Sequence, residues 1–371
     1  MKILLIGEYS NVYNTLAEGL RKLGHKVVVA SNGDFWKDYP RDIDLRRSDG
    51  VIGTISFAAR LAVSLPRMRG YDVVQIINPM FLELKAGKIL PIYHYLRKHN
   101  GKMVMGAFGM DYYWVHENIT RMPLRYSDFN IGDRLRTDDD AMKERTDWLN
   151  TSKGQLNQYI AHDCDAVVAG LYEYWACYQP LFPNKTVFIP FPIKQKRQEN
   201  DVKSQSLLPL KIFIGISKNR SAYKGTDIML EAAQKLRQRY PKQVSLSVAN
   251  GVPFKQYTQM MNEADVILDQ LYSYTPAMNA LGAMSRGIIC VGGGEPENYD
   301  ILGEDSLRPI VNVEPNEDSV FNALERLVVH PEMIPALKKQ SIIYIRKHHD
   351  YIDVAKRYEK LYRKLIGNPK E

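Results

Sequence analysis

Short apolar runs alternate with helical segments along the whole chain, and this alternation constrains the fold more than any other feature. In most runs the apolar residues are nearly continuous, which is typical of parallel strands that are buried on both faces. The runs lie at 2–6, 26–30, 72–77, 102–107, 166–169 and 187–189, and then at 211–216, 244–249, 266–268, 288–291 and 309–313. The sequence therefore predicts an α/β protein with two doubly wound parallel sheets that helices cover.

A polar segment without any period separates the two halves. Residues 195–208, QKRQENDVKSQSLL, lie between two strand patterns and are typical of a linker. A chain of 371 residues is long enough for two domains, each with its own core. We predict a first domain at 1–194, a linker at 195–209 and a second domain at 210–350.

Composition argues against several classes of protein. A hydrophobic share of 45% and a charged share of 25% are typical of a soluble globular chain, and no run of about eighteen consecutive apolar residues occurs. The first turn, Gly7–Ser10, lacks the G-x-G-x-x-G of a dinucleotide site, which argues against an NAD enzyme. Cys164, Cys177 and Cys290 have no metal-binding spacing. We expect a cytoplasmic protein with reduced, buried cysteines.

The net charge of +8 is concentrated in part of the first half. Between Asp49 and Asp111 the only acids are Asp72 and Glu83, whereas eight bases lie on or next to two predicted helices, at about 54–68 and 83–99. Two interpretations stay open: solvated helix faces, or a patch for anionic lipid head groups on the inner face of a membrane. No nucleic-acid-binding module is recognisable, so we expect no nucleic-acid partner.

A cationic loop follows the first strand of the second half. The sequence GISKNRSAYKGTD at 215–227 places Lys218, Arg220 and Lys224 just before Gly225, which opens a predicted helix. Cations beside backbone amides suit a diphosphate, whose charge grows when it becomes a leaving group. This loop is the strongest candidate for an anion site.

A second polar stretch, 263–299, follows the same edge of the predicted sheet. Asp269 and Gln270 end a strand, and Thr275 with Pro276 predicts the start of a helix that Gly287 ends. A helix N-terminus at the carboxyl ends of parallel strands favours a phosphate. A glycine triplet at 292–294 then precedes Glu295 and Glu297, and glycine lets backbone approach a ligand closely.

These two stretches resemble the donor-binding core of GT-B glycosyltransferases, especially family 4. The resemblance implies two Rossmann-like domains that face each other across a cleft, with the last helix (351–371) packing back on the first domain. It implies transfer of a hexose from a nucleotide-diphosphate-sugar co-substrate to a saccharide or lipid-linked acceptor, with retention of configuration and no bound metal or other cofactor. Bacterial surface polysaccharide synthesis is the setting that it implies.

Matching residues to the family motifs gives a candidate site. The resemblance implies that Lys224 and Arg220 stabilise the leaving diphosphate, together with Glu295 and Glu297 as the acids of the catalytic set. The predicted donor-binding residues are Lys218, Gly225, Val252, Pro253, Asp269, Gln270, Tyr274, Thr275, Pro276, Asn279, Gly293 and Gly294. The predicted acceptor-side residues are Gly7, Glu8, Tyr9, Ser10, Asp111, Tyr112 and His116, of which the last three begin an aromatic and basic loop at 109–162.

The chain departs from the family pattern at three positions. Tyr274 and Gly282 stand where the family has two glutamates, and Phe108 stands where it has a histidine. We therefore expect Glu295 or Glu297 to face the sugar. Two alternatives stay open: a nucleotide-sugar 2-epimerase, and a non-catalytic homologue that acts as a partner or scaffold. The D-x-D signature in Asp138–Asp140 precedes a predicted helix, where acids are favoured, so we predict no metal there.

Overall fold

Two parallel sheets organise the chain in the computed structural model, which describes residues 1–202, 208–216 and 221–367. The strands are β1 (Lys2–Ile6), β2 (Lys26–Ser31), β3 (Ile43–Asp44), β4 (Val73–Ile76), β5 (Lys102–Ala107), β6 (Asn130–Ile131), β7 (Arg134–Leu135), β8 (Ala166–Ala169), β9 (Thr186–Phe188), β10 (Leu210–Ile216), β11 (Val244–Asn250), β12 (Val266–Leu268), β13 (Ile289–Gly292) and β14 (Val311–Asn312). The predicted apolar runs therefore form strands, although β14 is shorter than its run.

Helices connect the strands. They are α1 (Val12–Lys22), α2 (Gly50–Ser64), α3 (Ala86–His99), α4 (Tyr112–Thr120), α5 (Asp139–Trp148), α6 (Ser152–Asp163), α7 (Tyr172–Tyr178), α8 (Ser221–Lys224), α9 (Thr226–Arg239), α10 (Phe254–Asn262), α11 (Met278–Met284), α12 (Pro296–Leu302), α13 (Glu317–Val329), α14 (Ile334–His348) and α15 (Tyr351–Leu365). The two basic helices predicted at about 54–68 and 83–99 are α2 and α3. The first starts four residues earlier than predicted, and the second starts three residues later.

The first unit comprises Met1–Pro123, Glu144–Pro192 and Tyr351–Glu371. In its described residues the sheet order is β3-β2-β1-β4-β5-β8-β9, and every pairing is parallel. The chain reverses its direction of travel between β1 and β4. Strand β1 lies in the middle with Leu4 and Leu5 fully buried, because helices cover both faces of the sheet.

The last helix, α15, packs on α1 within this first unit. A Cβ on Gly19 of α1 would lie 2.5 Å from the carbonyl oxygen of Tyr351, so only glycine allows this approach. The buried hydroxyl of Tyr362 donates a hydrogen bond of 2.6 Å to Oε1 of Gln75 in β4. The end of the described chain is therefore tied to the first sheet.

The second unit comprises Leu124–Lys143 and Ile193–Asp350. Its main sheet has the order β11-β10-β12-β13-β14 in the described residues, again with parallel pairing throughout. Apolar side chains of β10, β12 and β13 pack on those of α9 and α13 in one buried cluster that includes Ile212, Met229, Leu268 and Leu324. Here the chain reverses its direction of travel between β10 and β12.

The segment Leu124–Lys143 belongs to the second unit, whereas the sequence predicted 1–194 as one domain. Its hairpin, β6 and β7, is antiparallel. The reason for the difference is a set of polar contacts: Arg125 pairs with Glu295 and Glu297, and Nη2 of Arg136 donates to the carbonyl of Ala222 at 2.9 Å. No period or composition shift in the sequence signals such contacts between residues that are 86 to 172 positions apart.

The structure describes residues 195–202 and 208–209 of the predicted linker, 195–209. The amide of Lys196 donates to the carbonyl of Ser285 at 3.3 Å, so the linker begins against the end of α11. Residues 203–207 lie outside the described residues. The three cysteines are all buried and free, as predicted.

One helical stretch in the described residues, Gly50–Met68, is long and apolar enough to cross a membrane by length and composition. It consists of α2 and the 3-10 turn that follows. A single stretch of this kind is weak evidence for a membrane span, because core helices of soluble proteins pass the same test.

Candidate functional site

The carboxyl edge of the second sheet gathers most of the predicted donor-binding residues. Lys224 and Gly225 follow β10, Asp269 and Gln270 follow β12, and Gly293 and Gly294 follow β13. Ligands of doubly wound sheets bind outside the carboxyl ends of the strands, at the point where the strand order reverses. That point lies between β10 and β12 here, so the fold itself places Lys224 and Asp269 at the favoured position.

The backbone carbonyl of Lys224 and the adjacent Gly225 both contact the loop after β12. Gly225 has φ +68° and links α8 to α9, and a Cβ there would lie 2.5 Å from the Cβ of Leu271. The amide of Leu271 donates to the carbonyl of Lys224 at 2.9 Å. The loop after β12 is therefore held directly against Lys224. The other two predicted cations, Lys218 and Arg220, lie outside the described residues.

Asp269 is the buried carboxyl group at this edge. Burial raises its pKa to about 6, although the charge of Lys224 and a weak hydrogen bond from the Ala277 amide, 3.4 Å long, oppose the rise. A Cβ on Gly292 would lie 3.5 Å from the Cβ of Asp269, so the ends of β12 and β13 approach closely. The charge of Lys224 therefore acts on Asp269, which indicates that the two groups lie close together at this edge.

The helix predicted to start at Thr275 and Pro276 begins only at Met278, so that part of the prediction is wrong. Oγ of Ser273 donates to the carbonyl of Thr275 at 2.7 Å and accepts from its amide at 3.4 Å. This local turn holds Thr275 outside the helix, because serine side chains compete with backbone for hydrogen bonds. Ala277 is the N-cap residue and offers no side-chain cap. Thr275 therefore does not cap α11.

Asn279, in the first turn of α11, lies beside Tyr257 of α10. Burial raises the pKa of Tyr257 to about 12, and a hydrogen bond with Asn279 partly offsets the rise. The ring of Tyr257 also covers the backbone of β10, since a Cβ on Gly215 would lie 2.5 Å from its hydroxyl oxygen. Val252 and Pro253 lie nearby in sequence, between β11 and the start of α10. Val252, Pro253 and Asn279 are among the predicted donor-binding residues.

Glu295 and Glu297 are both held by Arg125. Nη2 of Arg125 donates to Oε2 of Glu295 at 2.7 Å, and the guanidinium makes bonds of 2.5 and 3.1 Å to the two oxygens of Glu297. Burial opposes ionisation of Glu297, but the hydrogen bonds from Arg125 hold its pKa below the ordinary value. The same bonds raise the pKa of Arg125. The two acids therefore form an ion-pair cluster with one guanidinium, which we call the Arg125 cluster.

Tyrosines complete the Arg125 cluster. The hydroxyl of Tyr126 donates to Oε1 of Glu295 at 2.5 Å, and Nδ2 of Asn312 donates to the same oxygen at 3.0 Å. The amide of Arg125 donates to the hydroxyl oxygen of Tyr274 at 2.6 Å, and its guanidinium lies 4.8 Å from the centroid of the Tyr274 ring. Tyr274 thus orients Arg125.

Sequence reasoning missed the role of Arg125 and Tyr126, because it grouped them with the acceptor-side loop at 109–162.

Gly293 and Gly294 allow close packing of the backbone. A Cβ on Gly293 would lie 1.9 Å from the carbonyl oxygen of Ser273, and the amide of Gly294 donates to Oδ1 of Asn312 at 2.9 Å. Gly282, in contrast, has open space, since an added Cβ would meet only the Arg286 guanidinium, at 3.7 Å.

The predicted acceptor-side residues of the first unit lie at the carboxyl edge of its own sheet. Gly7 has φ +96° and a Cβ there would lie 2.2 Å from the side chain of Ile77, so only glycine fits. An added Cβ on Gly109 would lie 3.4 Å from the ring of Tyr9, which brings the turn after β1 next to the loop after β5. The amide of Ser10 donates to Asp34 at 2.8 Å.

Two buried acids lie at this first-unit edge. Both oxygens of Glu8 accept backbone hydrogen bonds, from Tyr13 and Asn14 at 3.2 and 2.8 Å, yet burial raises its pKa to about 8. Burial likewise raises the pKa of Asp111 to about 7. Asp111 caps α4 by accepting from the Trp114 amide at 2.8 Å. Both acids thus combine a structural role with a pKa in the range that suits proton transfer.

The remaining predicted positions on this side are surface or apolar groups. The rings of Tyr112 and His116 stack with centroids 5.2 Å apart, and Nδ1 of His116 lies 2.9 Å from Glu117. Phe108 is buried with its ring 5.2 Å from that of Phe191. The Phe108 position is therefore part of the apolar packing.

The acids at 138–140 cap a helix. Oδ1 of Asp138 accepts from the amide of Ala141 at 3.1 Å, and Asp139 and Asp140 lie in the first turn of α5. Oδ2 of Asp138 also accepts from Nε of Arg136 at 3.0 Å. Among the described residues, no cluster of three or more histidine, cysteine or acidic side chains has a metal-binding arrangement.

Solved structures share this fold over nearly the full length of the chain. Sucrose-phosphate synthase from Thermosynechococcus elongatus matches with a TM-score of 0.65 at 15% identity, and the alignment covers 99% of both chains. The GT-B glycosyltransferase WaaG, described as acting in lipopolysaccharide biosynthesis, matches with a TM-score of 0.50 at 12% identity, over 98% of this chain and 99% of that one. This chain has the GT-B fold.

Other GT-B structures extend the comparison. HepE from Anabaena, solved in complex with UDP-glucose, has a TM-score of 0.60 at 11% identity, over 98% of this chain and all of that one. A putative UDP-N-acetylglucosamine 2-epimerase from Listeria monocytogenes has a TM-score of 0.54 at 9% identity, over 98% and 96% of the two chains. No protein-family model and no curated protein matches by sequence. At these identities the likeness shows the GT-B fold, and the activity has to be argued from the site.

Replacing Arg125 should destabilise the protein more than an exposed ion pair would. In Arg125→Ala the carboxylates of Glu295 and Glu297 stay close together without their counter-charge, one of them buried, so we expect a loss of about 1–3 kcal/mol in the free energy of unfolding at neutral pH. The matched control is Arg346→Ala, which removes an exposed pair with Glu199 and should cost about 0–1 kcal/mol. Urea denaturation measures both.

The effect of Arg125→Ala should also depend on pH. Because Arg125 lowers the folded-state pKa of Glu297, its stabilisation is complete above the ordinary carboxyl pKa and is lost as the pH falls through the lowered one. The difference between the wild type and the variant should therefore shrink in acid. Equal losses in Arg125→Ala and Arg346→Ala at neutral pH would contradict the described cluster.

Glu8 should make the free energy of unfolding fall as the pH rises. Its folded-state pKa of about 8 exceeds the ordinary value of 4.5. Between these two pH values the folded protein therefore binds more protons than the unfolded chain. The slope should reach at most about 1.4 kcal/mol per pH unit. Glu8→Gln should flatten it between about pH 7 and 8. Asp111→Asn is the control, because Asp111, with a pKa of about 7, acts mainly below that window. An unchanged slope in Glu8→Gln would contradict the raised pKa.

Proposed function

We propose that this protein is a glycosyltransferase that moves a hexose from a nucleotide-diphosphate-sugar to a saccharide or lipid-linked acceptor. The observation that carries the proposal is the position of Lys224 beside Asp269, at the point of the second sheet where the strand order reverses. The donor binds at this edge of the second unit. The acceptor binds the first unit, beside Gly7–Ser10 and Asp111–His116.

The diphosphate is the part of the donor that this edge suits best. Lys224 supplies a cation, and Gly225 is the N-cap residue of the fourteen-residue helix α9, whose dipole favours an anion at this end. When the sugar leaves, negative charge builds up on the diphosphate, so a fixed cation stabilises the transition state more than the ground state. Because the protein supplies this charge, the reaction is proposed to need no bound metal.

The sugar hydroxyls are proposed to meet the Arg125 cluster. A sugar in a closed site needs hydrogen-bond acceptors, since an unmatched buried hydroxyl costs about 1–3 kcal/mol. Glu297 is the less buried of the two acids, and Arg125 fixes its orientation. Gly282 leaves room where the family has a glutamate side chain. Retention of the anomeric configuration is part of the proposal through the family resemblance alone.

Two structural neighbours that were solved with bound nucleotides are consistent with this proposal. HepE was solved with UDP-glucose, and the starch synthase IV catalytic domain from Arabidopsis, with a TM-score of 0.57, was solved with ADP and acarbose. A uridine or adenosine diphosphate sugar is therefore the first donor to test. We further propose a cytoplasmic enzyme of bacterial surface polysaccharide synthesis.

Replacing Lys224 should reduce turnover strongly. Lys224→Ala removes a cation that acts mainly on the leaving diphosphate. We therefore expect a loss of about 2–4 kcal/mol in transition-state stabilisation, which lowers kcat/KM roughly thirty- to a thousandfold. Lys235→Ala on α9 is the matched control, because Lys235 pairs with Glu231 and Glu317 on an exposed helix face. Release of nucleoside diphosphate from the donor, measured with EDTA present, reports the reaction. Full activity in Lys224→Ala would contradict the site, and a strict need for a divalent metal would contradict the mechanism.

Product analysis in the same assay separates the alternative activities. A 2-epimerase would convert UDP-N-acetylglucosamine to its epimer without an acceptor, and the epimerase among the structural neighbours makes this the first comparison. A non-catalytic homologue would bind the donor with no turnover at all. Sugar transfer, in contrast, releases free nucleoside diphosphate and depends on acceptor concentration.

A further inference from the structure

Helix α2 lies on the surface of the first unit and is mostly apolar, with Thr54, Ser56 and Arg60 among its few polar residues. Its inward stripe, Gly53, Phe57 and Leu61, is buried. Only 28% of the most apolar eighteen-residue window in Gly50–Met68 is buried, however. A helix with few polar residues is normally buried in a core or in a membrane. The outward face of α2 therefore lacks a partner among the described residues.

Large apolar side chains are exposed on and beside this face. Ile52 is 84% exposed and Trp36, in the turn at 35–37, is 59% exposed. The other exposed large apolar side chains in this part of the chain are Phe35, Val51, Ile55 and Val63. We call these six residues the apolar face. Single exposed apolar residues are normal, but a group of this size marks an interaction surface.

Basic residues surround the apolar face. Residues 50–71 contain no acid, and five arginines lie between 46 and 69 with only Asp49 as an acid among them. Arg46, Arg47 and Arg60 line a cleft of about 300 Å³ together with Phe35. Glu83 and Asp44 also line it, and Asp44 pairs with both Arg46 and Arg60, so three guanidinium groups against two carboxylates leave one net positive charge. The cleft therefore suits an anionic group beside an apolar one.

An anionic lipid surface has this combination of chemistry. Amphipathic elements with apolar and basic residues bind the boundary between lipid head groups and acyl chains. Phosphate head groups fit the guanidinium groups, and the acyl region fits Ile52 and Trp36. A second copy of this chain would place like charges opposite each other, which opposes association through the same face.

The packing of α2 decides between lying on the membrane and crossing it. A Cβ on Gly53 would lie 2.0 Å from the carbonyl oxygen of Ser48, and Phe57 is almost fully buried in the first unit. Crossing the bilayer would pull this inward stripe out of the core. We infer that the apolar face docks on an anionic lipid bilayer, with α2 lying in the interface and its inward stripe still packed on the first unit.

Vesicle co-sedimentation tests this inference without donor or acceptor, so its result is independent of the transferase proposal. The wild type should bind phosphatidylcholine vesicles that contain phosphatidylglycerol, and high salt should weaken binding without abolishing it. Ile52→Ser with Ile55→Ser should lower the partition coefficient on the order of tenfold or more. The matched control is Val329→Ser, which changes an exposed apolar residue of the second unit and should leave binding unchanged.

Fluorescence with brominated lipids provides a second readout. Trp36 should be quenched on anionic vesicles, and Trp36→Phe should remove most of the quenching while binding persists. Absence of binding to anionic vesicles, or equal partition of the double serine variant and the wild type, would overturn the inference. Concentration-dependent dimerisation that the double variant abolishes, without vesicle binding, would also overturn it and assign the face to a second copy.

Discussion

Parallel pairing of continuous apolar strands is the constraint on which the rest of this structure depends. It places the carboxyl ends of all strands of a sheet at one edge, where the connecting loops carry the polar residues. In the second unit this edge brings Lys224, Asp269 and the glycines after β13 together, although they are up to seventy residues apart. In the first unit the same geometry places Glu8 and Asp111 at one edge. The candidate sites are thus consequences of topology as much as of particular motifs.

The Arg125 cluster distinguishes the candidate site of the second unit. The ring of Tyr274 orients Arg125, and Gly282 leaves open space beside the Arg286 guanidinium. One guanidinium in this cluster pairs with both carboxylates, Glu295 and Glu297. Fixed donors and acceptors of this kind recognise hydroxyl groups, and the guanidinium weakens the repulsion that two free carboxylates would impose on a diphosphate. The proposed sugar site therefore follows from this arrangement.

The sequence predicted the fold well because apolar periodicity is a local signal. The strands and most helices fall where the apolar runs predicted them, with small shifts at the ends. The start of α11 was predicted wrongly because the Ser273 side chain forms a competing turn, and a Thr-Pro pair does not reveal that. The place of Leu124–Lys143 in the second unit was also missed, since long-range ion pairs leave no periodic trace. Residue roles at the site, such as packing at Gly293, required the contacts themselves.

Binding of a donor to the isolated protein tests the central claim most directly. The decisive measurement is a thermal-shift and calorimetric titration of the wild type with UDP-, ADP-, GDP- and CMP-sugars in the presence of EDTA. The account predicts that one nucleotide-diphosphate-sugar binds saturably without metal and raises the unfolding free energy by about 2.7 kcal/mol at a hundred times its dissociation constant. If none of these donors binds, with or without metal, the carboxyl edge of the second sheet is not a nucleotide-sugar site.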